Sequence, residues 1–519
     1  MLKSAKDYNA LRDAFRWDIP AQYNIGTDCC DRWADASPDR TAIIDCADGA
    51  TTRRISYGDL RRASNRLANA LIELGVERGD RVAVLLPQRF ETAVAHLTAY
   101  RMGAIALPLF VLFGADALMH RLADSGAKAV ITDRSGMAKL APLRAALPDL
   151  RILLCVDEPD GPESFRAAIE RSDAEFTPVD TTADDPALLI YTSGTTGNPK
   201  GVRLTHASHR WILEQRIKSN NFSRIRMLIA APCYHMNGLS VLETSLLGNG
   251  TAILLPFFEA STFVNAIQSY SVNLITSVPS MMASILDLVQ TVDVSSVRQI
   301  VMASAPVSRK LFYSVKEKFP MAAVRIAYGI TEVGPGIFGK HPTLPTPDFS
   351  VGFPIEGISY RLADGVLEIK SPSMLSSYTN KDLKTTSDGY FITEDLFSID
   401  QDGFYYFEGR ADDMFVCGGH NIYPSKIESV LEQHGFVETS VVVGLPDDIK
   451  GVRPYAFLKL KEEIATNLIK EYAMKNLPIY EIPRDFFIVD KWPLSPIGKI
   501  DKKSLVNMAT KLLLDKNLG

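Results

Sequence analysis

The apolar run Ala187-Leu188-Leu189-Ile190 passes directly into YTSGTTGNPKG, Tyr191 to Gly201. A short apolar run ended by a turn signal reads as a buried strand. The loop after it is dense in glycine and small hydroxyls. Gly194 and Gly197 let backbone N–H groups approach an anion without side chains in the way. Thr192, Ser193, Thr195 and Thr196 add hydroxyl donors, and Lys200 adds positive charge. The pattern suits a cradle for nucleotide phosphates. It is not the NTPase loop, in which Gly-Lys-Ser/Thr follows a four-residue gap; here Lys200 lies between Pro199 and Gly201. A flexible surface turn is the plainer reading of such a loop taken alone.

A chain of 519 residues is too long for one compact core, so two or more domains are expected. Hydrophobic residues at 46% and charged residues at 23% are ordinary for a soluble globular protein. The net charge of −5 and the lack of a basic block argue against nucleic acid as the main partner. Six cysteines are scattered without metal-ligand spacing, which fits a reducing, cytoplasmic compartment. No apolar run reaches the ~18 residues that span a bilayer. Oligomeric state is not readable, and a homodimer stays open.

Helical and strand patterns alternate along the first four hundred or so residues. Leu60, Ala63, Leu67, Leu71 and Leu74 have helical spacing and stop at Gly75. Strands are expected at Arg81–Leu86, Ala129–Thr132, Ile152–Val156, Thr251–Leu255, Leu274–Val278 and Gln299–Ala303, and a small β element over Leu362–Tyr406. The character then changes. Pro424 opens a helix, Thr439–Val443, Tyr455–Leu460 and Asp485–Val489 read as strands, and Glu462–Leu477 as a helix. The fold class expected is α/β, with a large N-terminal domain of α/β sheets plus the small β element, residues 1–410. A small α+β C-terminal lid domain follows, residues 411–519.

Further along lie Ser304-Ala305-Pro306, Tyr328-Gly329-Ile330-Thr331-Glu332, Gly389 to Asp395 (GYFITED), Gly409 to Asp413 (GRADD) and Pro493 to Asp501 (PLSPIGKID). With the Tyr191–Gly201 string, these segments resemble, in order and over nearly the whole chain, the motifs of the adenylate-forming superfamily: acyl-CoA synthetases, adenylation domains and luciferases. The resemblance implies ATP binding by Thr192, Ser193, Gly194, Thr195, Thr196, Gly197 and Lys200. Ser304, Ala305 and Pro306 would lie beside adenine, where the family often has glycines. Tyr328 would stack on the purine, Gly329 would admit the acyl phosphate, and Thr331 would bond the α-phosphate. Glu332 would hold Mg²⁺, which suits a hard carboxylate oxygen. Asp395 would accept from the ribose hydroxyls and Arg410 would reach ribose or phosphate. Glu394 stands where the family has glycine. Asp412 would be the hinge of the lid, and Gly418 and Gly419 would line the coenzyme A path. Lys499 would be the catalytic cation, bridging the attacking carboxylate and the α-phosphate; the catalytic set is Lys499, Glu332 and Thr331.

His235, Met236, Gly238, Val333 and Gly334 fall where the family forms its acyl pocket. Amino-acid-activating relatives carry an aspartate at the place of His235, which argues against α-amino acids here. The activity implied is that of an AMP-forming acid–thiol ligase: ATP, a carboxylic acid and coenzyme A react through an acyl-adenylate, in fatty acid or related metabolism. An acyl-AMP ligase loading a carrier protein, a luciferase-like oxygenase and a non-catalytic nucleotide-binding protein are the rival readings.

Overall fold

A computed structural model describes residues 15, 19–46, 52–192, 199–218, 224–374, 377–378, 384–411, 413–418, 420–447, 450–494 and 500–518. Two seven-stranded sheets form most of a large N-terminal domain. The first runs in the order Ser377–Tyr378, Lys200–Thr205, Pro186–Thr192, Ile105–Pro108, Arg81–Leu85, Ala129–Thr132 and Ile152–Cys155. The last five of these are parallel, and Lys200–Thr205 returns antiparallel against Pro186–Thr192. The second runs Ala323–Ala327, Gln299–Ala303, Leu274–Ser277, Arg226–Ile229, Thr251–Leu254, Thr41–Asp45 and Arg53–Ser56. It is parallel except at its last pair.

Strands covered on both faces read as unbroken apolar runs. Ala129–Thr132 and Ile152–Cys155 are buried at every position. Helices fill the space between the sheets. Phe90–Arg101 and Met236–Leu247 are buried on nearly all sides, which is why neither shows a clean amphipathic stripe. Tyr57–Glu73 has such a stripe. It is opened by a capping box in which Ser56 Oγ accepts the Asp59 N–H at 3.1 Å and Asp59 accepts the Ser56 N–H at 3.2 Å. That motif is worth about 1 kcal/mol. The chain leaves this helix at Gly75, whose φ of +94° is open to glycine alone without strain.

The small β element is a four-stranded antiparallel sheet: Ser359–Ala363, Val366–Lys370, Phe391–Ile399 and Tyr405–Arg410. Beyond it lies a smaller C-terminal domain around a five-stranded sheet, built from His420–Ile422, Phe415–Cys417, Gly451–Leu460, Val437–Asp447 and Phe486–Ile488. One face buries Ile422, Ile427, Leu431, Val442, Ala456 and Ile469 under the helices Pro424–Leu431 and Thr466–Asn476. The other buries Val441, Val443, Tyr455 and Phe457 with Leu505 and Ala509 of the helix Lys502–Leu518. The six thiols are unbonded: Cys29, Cys30, Cys155, Cys233 and Cys417 are buried, and Cys46 is half-buried. Among the described residues, no helix is long and apolar enough to cross a membrane.

Candidate active site

Ligands of open α/β sheets sit beyond the carboxyl ends of parallel strands. Gln299–Ala303 and Ala323–Ala327 end side by side, with Ala303 opposite Ala327. The Ser304-Ala305-Pro306 turn leaves the first and Tyr328 leaves the second, so two segments expected at adenine are neighbours. Ser304 adopts φ +71° and is exposed. That left-handed backbone explains why glycine suits the position.

Tyr328 donates from its hydroxyl to Asp395 Oδ2. Burial, and then the Asp395 carboxylate, push the Tyr328 phenol well above its ordinary range. Its ring meets Phe397 edge-on at 4.8 Å. Asp395 is 3% exposed, and Arg410 Nη1 lies 3.3 Å from its other oxygen. The register of the small sheet causes this meeting, since Asp395 pairs directly with Arg410. The backbone N–H of Asp395 donates to Thr393 Oγ at 3.1 Å, and that hydroxyl donates to the Leu367 carbonyl at 2.8 Å. Glu394 sits at φ +63°. Its carboxylate meets Lys384 and lies 3.7 Å from Arg410 Nη2.

The chain turns back after Gly329–Ile330 to form Gly334–Pro335, which places Thr331, Glu332 and Val333 on the connection. Thr331 and Glu332 are half-buried, and Val333 is fully buried. Gly334 has φ +103°, and a Cβ there would come within 2.9 Å of Ile212 and 3.1 Å of Ser373 Oγ. His235 precedes the helix Met236–Leu247, with its ring 4.5 Å from that of Tyr234. Met236 is 4% exposed. A Cβ on Gly238 would fall 2.3 Å from the Pro232 carbonyl oxygen and 2.5 Å from that of Ala231, so the first turn of this helix closes on the segment that leads into it only because the residue is glycine.

The polar loop joins the antiparallel strands Pro186–Thr192 and Lys200–Thr205, and Thr192 and Lys200 face each other across the ladder. Gly418, at φ +55°, begins the turn between Phe415–Cys417 and His420–Ile422. Ser193, Gly194, Thr195, Thr196, Gly197, Asp412, Gly419 and Lys499 lie outside the described residues.

The AMP-binding enzyme model matches residues 30–376, and the AMP-binding enzyme C-terminal domain model matches residues 426–499. The chain belongs to the AMP-binding enzyme family. This AMP-binding enzyme is 28% identical to 4-coumarate–CoA ligase 3 of Arabidopsis thaliana, over 94% of the chain and 92% of the relative. It is 29% identical to 2-succinylbenzoate–CoA ligase of Bacillus subtilis (strain 168), over 91% and 96%. Its fold superposes on the anthranilate CoA ligase AuaEII in complex with anthranoyl-AMP with a TM-score of 0.87, at 25% identity over 95% and 98% of the two chains. It superposes on ATP-bound MatB from Rhodopseudomonas palustris with a TM-score of 0.85, at 27% identity over 94% and 99%. The adenylate-forming resemblance, the α/β architecture with a smaller C-terminal domain, and the expectation of an AMP-forming acid–thiol ligase are borne out.

Beside the expected residues, this AMP-binding enzyme buries a polar network that its sequence did not announce. Glu243, 2% exposed, accepts from the Tyr100 hydroxyl at 2.7 Å and meets His209 Nε2. His206 Nδ1 accepts the Ile25 N–H at 3.2 Å. His96 is 2% exposed, and neither ring nitrogen has a hydrogen-bond partner among the described residues. Burial lowers both His96 and His206 to about 4.

Proposed function

We propose that this protein joins a carboxylic acid to coenzyme A in two steps, using ATP. In the first, a carboxylate oxygen attacks the α-phosphorus and pyrophosphate leaves. In the second, the thiol sulfur attacks the acyl carbon, its proton is lost and AMP leaves. The observation that carries this reading is the joining of Tyr328, Asp395 and Arg410 beside the Ser304–Pro306 turn. An aromatic face, a carboxylate and a guanidinium there suit a purine, a ribose diol and a phosphate in turn.

In this reading the polar loop from Thr192 to Lys200 holds the phosphates and Thr331 bonds the α-phosphate. Glu332 offers one carboxylate on a half-buried turn, and that donor set fits Mg²⁺, which takes one or two carboxylates together with phosphate oxygens and water. The ion would supply counter-charge to the phosphates. Lys499 neutralises the approach of two anions. His235, Met236, Val333 and Gly334 wall the acid, with Gly238 behind them. Residues 411–519 form a lid that turns about Asp412 and presents Gly418 and Gly419 to coenzyme A. The separate hydrophobic clusters of residues 417–509 support that division.

The test is pyrophosphate release over a panel of carboxylic acids, with and without coenzyme A. Thioester formed only when coenzyme A is present supports the reading. Pyrophosphate without thioester would favour a carrier protein as acceptor, and no pyrophosphate from any acid would sink it. Lys499→Ala is expected to slow adenylate formation by ~10²–10³-fold. Thioester formation from a supplied acyl-adenylate should continue at the parent rate. Equal loss of both half-reactions would contradict the role given to Lys499.

A further inference from the structure

Lys384, Glu394, Asp395 and Arg410 come together beside Tyr328. Asp395 and Arg410 are register partners in the small sheet, and Arg410 Nη1 lies 3.3 Å from Asp395 Oδ1. Arg410 Nη2 lies 3.7 Å from Glu394 Oε2, and Lys384 Nζ donates to Glu394 Oε1. One residue further along, the Ala411 N–H donates to the Glu394 carbonyl at 2.8 Å. Successive side chains of a regular strand point to opposite faces, so neighbouring carboxylates do not converge. Glu394 lies inside the strand Phe391–Ile399, yet its φ is +63°. The strand geometry is broken there, and the carboxylates of Glu394 and Asp395 meet one guanidinium.

The formal charges of this set cancel, since Lys384 and Arg410 face Glu394 and Asp395. Asp395 has a second contact, because its Oδ2 accepts from the Tyr328 hydroxyl. Among the described residues, the carboxylate of Glu394 meets only the two cations. A phosphate that approaches Arg410 therefore finds a cation already shared between two carboxylates. A glycine at 394, which the resemblance leads one to expect, would remove one of the two and leave the remaining three groups with a net positive charge. The Glu394 and Arg410 side chains are 31% and 35% exposed, so water screens the effect to a modest one.

We propose that Glu394 sets nucleotide affinity from beside the ribose site. It is a positioning residue that draws the charges of Arg410 and Lys384 away from phosphate, so that ATP and the product AMP are both held loosely. This rests on the nucleotide reading of Tyr328, Asp395 and Arg410 given above.

The test measures, by calorimetry, the binding of adenosine, AMP and ATP with Mg²⁺ to the parent, Glu394→Gln and Glu394→Gly. Glutamine keeps the length of the side chain and removes its charge. Glycine removes the side chain and relieves the left-handed backbone, and it decides the matter if the glutamine variant does not fold. Both variants are expected to bind AMP about fivefold more tightly, and ATP by at least as much, with adenosine unchanged. The gain should shrink as salt is raised. In pyrophosphate release, KM for ATP should fall while KM for the acid keeps its parent value; a purely structural role would tighten nothing. Unchanged or weaker AMP binding would overturn the proposal, and so would an equal gain for adenosine, which carries no phosphate. Binding of none of the three ligands to the parent would reject the nucleotide reading itself, whereas parent-like affinities in the variants reject the role of Glu394 alone.

Discussion

Ser304, in the turn where the resemblance leads one to expect glycines, and Glu394, where it leads one to expect glycine, both hold left-handed backbone, at φ +71° and +63°. A side chain in this region costs on the order of 1 kcal/mol. At Glu394 the ion pairs with Lys384 and Arg410 offset part of that, although partly exposed pairs are worth only about 0–1 kcal/mol. Glu394→Gly is expected to match or exceed the parent in stability, whereas Glu394→Ala loses the pairs and keeps the strain. Denaturant melts should place the glycine variant above the alanine variant by about 1 kcal/mol; the reverse order would mean that the left-handed backbone at 394 carries no such strain. His96 and His206 argue a second case at this scale. Folded, each binds its proton near pH 4 rather than at the ordinary 6.5, because burial penalises the imidazolium. The stability they hold is fully present above about pH 6.5 and is lost as pH falls through about 4, on the order of 3 kcal/mol for each ring. His96→Phe should flatten the fall in unfolding free energy between pH 7 and 4. An unaltered slope would clear His96 of that role.

Elements differ in how far sequence reveals them. Gln299–Ala303 and Ala129–Thr132 were expected with the bounds they have, because each shows as a short, bounded apolar run. Thr439–Val443 was expected too short: the strand is Val437–Asp447, since its ladder with Gly451–Leu460 continues through Pro446 and Asp447, which carry no apolar signal. The helix Lys502–Leu518 escaped notice because lysines and asparagine interrupt its stripe. The expected helix over Glu462–Leu477 begins only at Thr466. In the site, motif order placed Tyr328 and Asp395 in one family pattern, but their contact spans 67 positions and depends on how two sheets meet, which no spacing encodes. Glu243 was illegible for a similar reason, because only the packing of helices brings Tyr100, 143 positions away, and His209 onto its carboxylate. Gly238 supplies the prediction at this scale. Gly238→Ala forces a methyl into carbonyl oxygens 2.3 and 2.5 Å away, so the helix start must shift. A loss of about 1–3 kcal/mol is expected from such overpacking, with a raised KM for the acid. Wild-type stability and KM in this variant would show that the turn relaxes freely.

For the whole molecule, the relevant fact is that the smaller C-terminal sheet is covered on both faces by buried residues of its own stretch, 417–509, while the buried residues of the larger domain's clusters end at Tyr405. The lid proposed above would gain from two bodies that each hold together while it turns. Cys417 lies inside the smaller core, and Cys29, Cys30 and Cys233 lie inside the larger one. Burial also pushes the Cys29, Cys30 and Cys233 thiols up, which leaves little reactive thiolate. Burial pushes the Cys46 thiol up too, but it is the one half-buried sulfur of the six, so a maleimide should modify it ahead of the other five in the native protein. Peptide mapping over time should find Cys417 modified at a rate of its own; a single shared rate for Cys417 and Cys233 would mean that the two bodies open together. With an unbonded sulfur sealed in each body, the protein carries its own pair of clocks, and each reads how often one half breathes while the other stays shut.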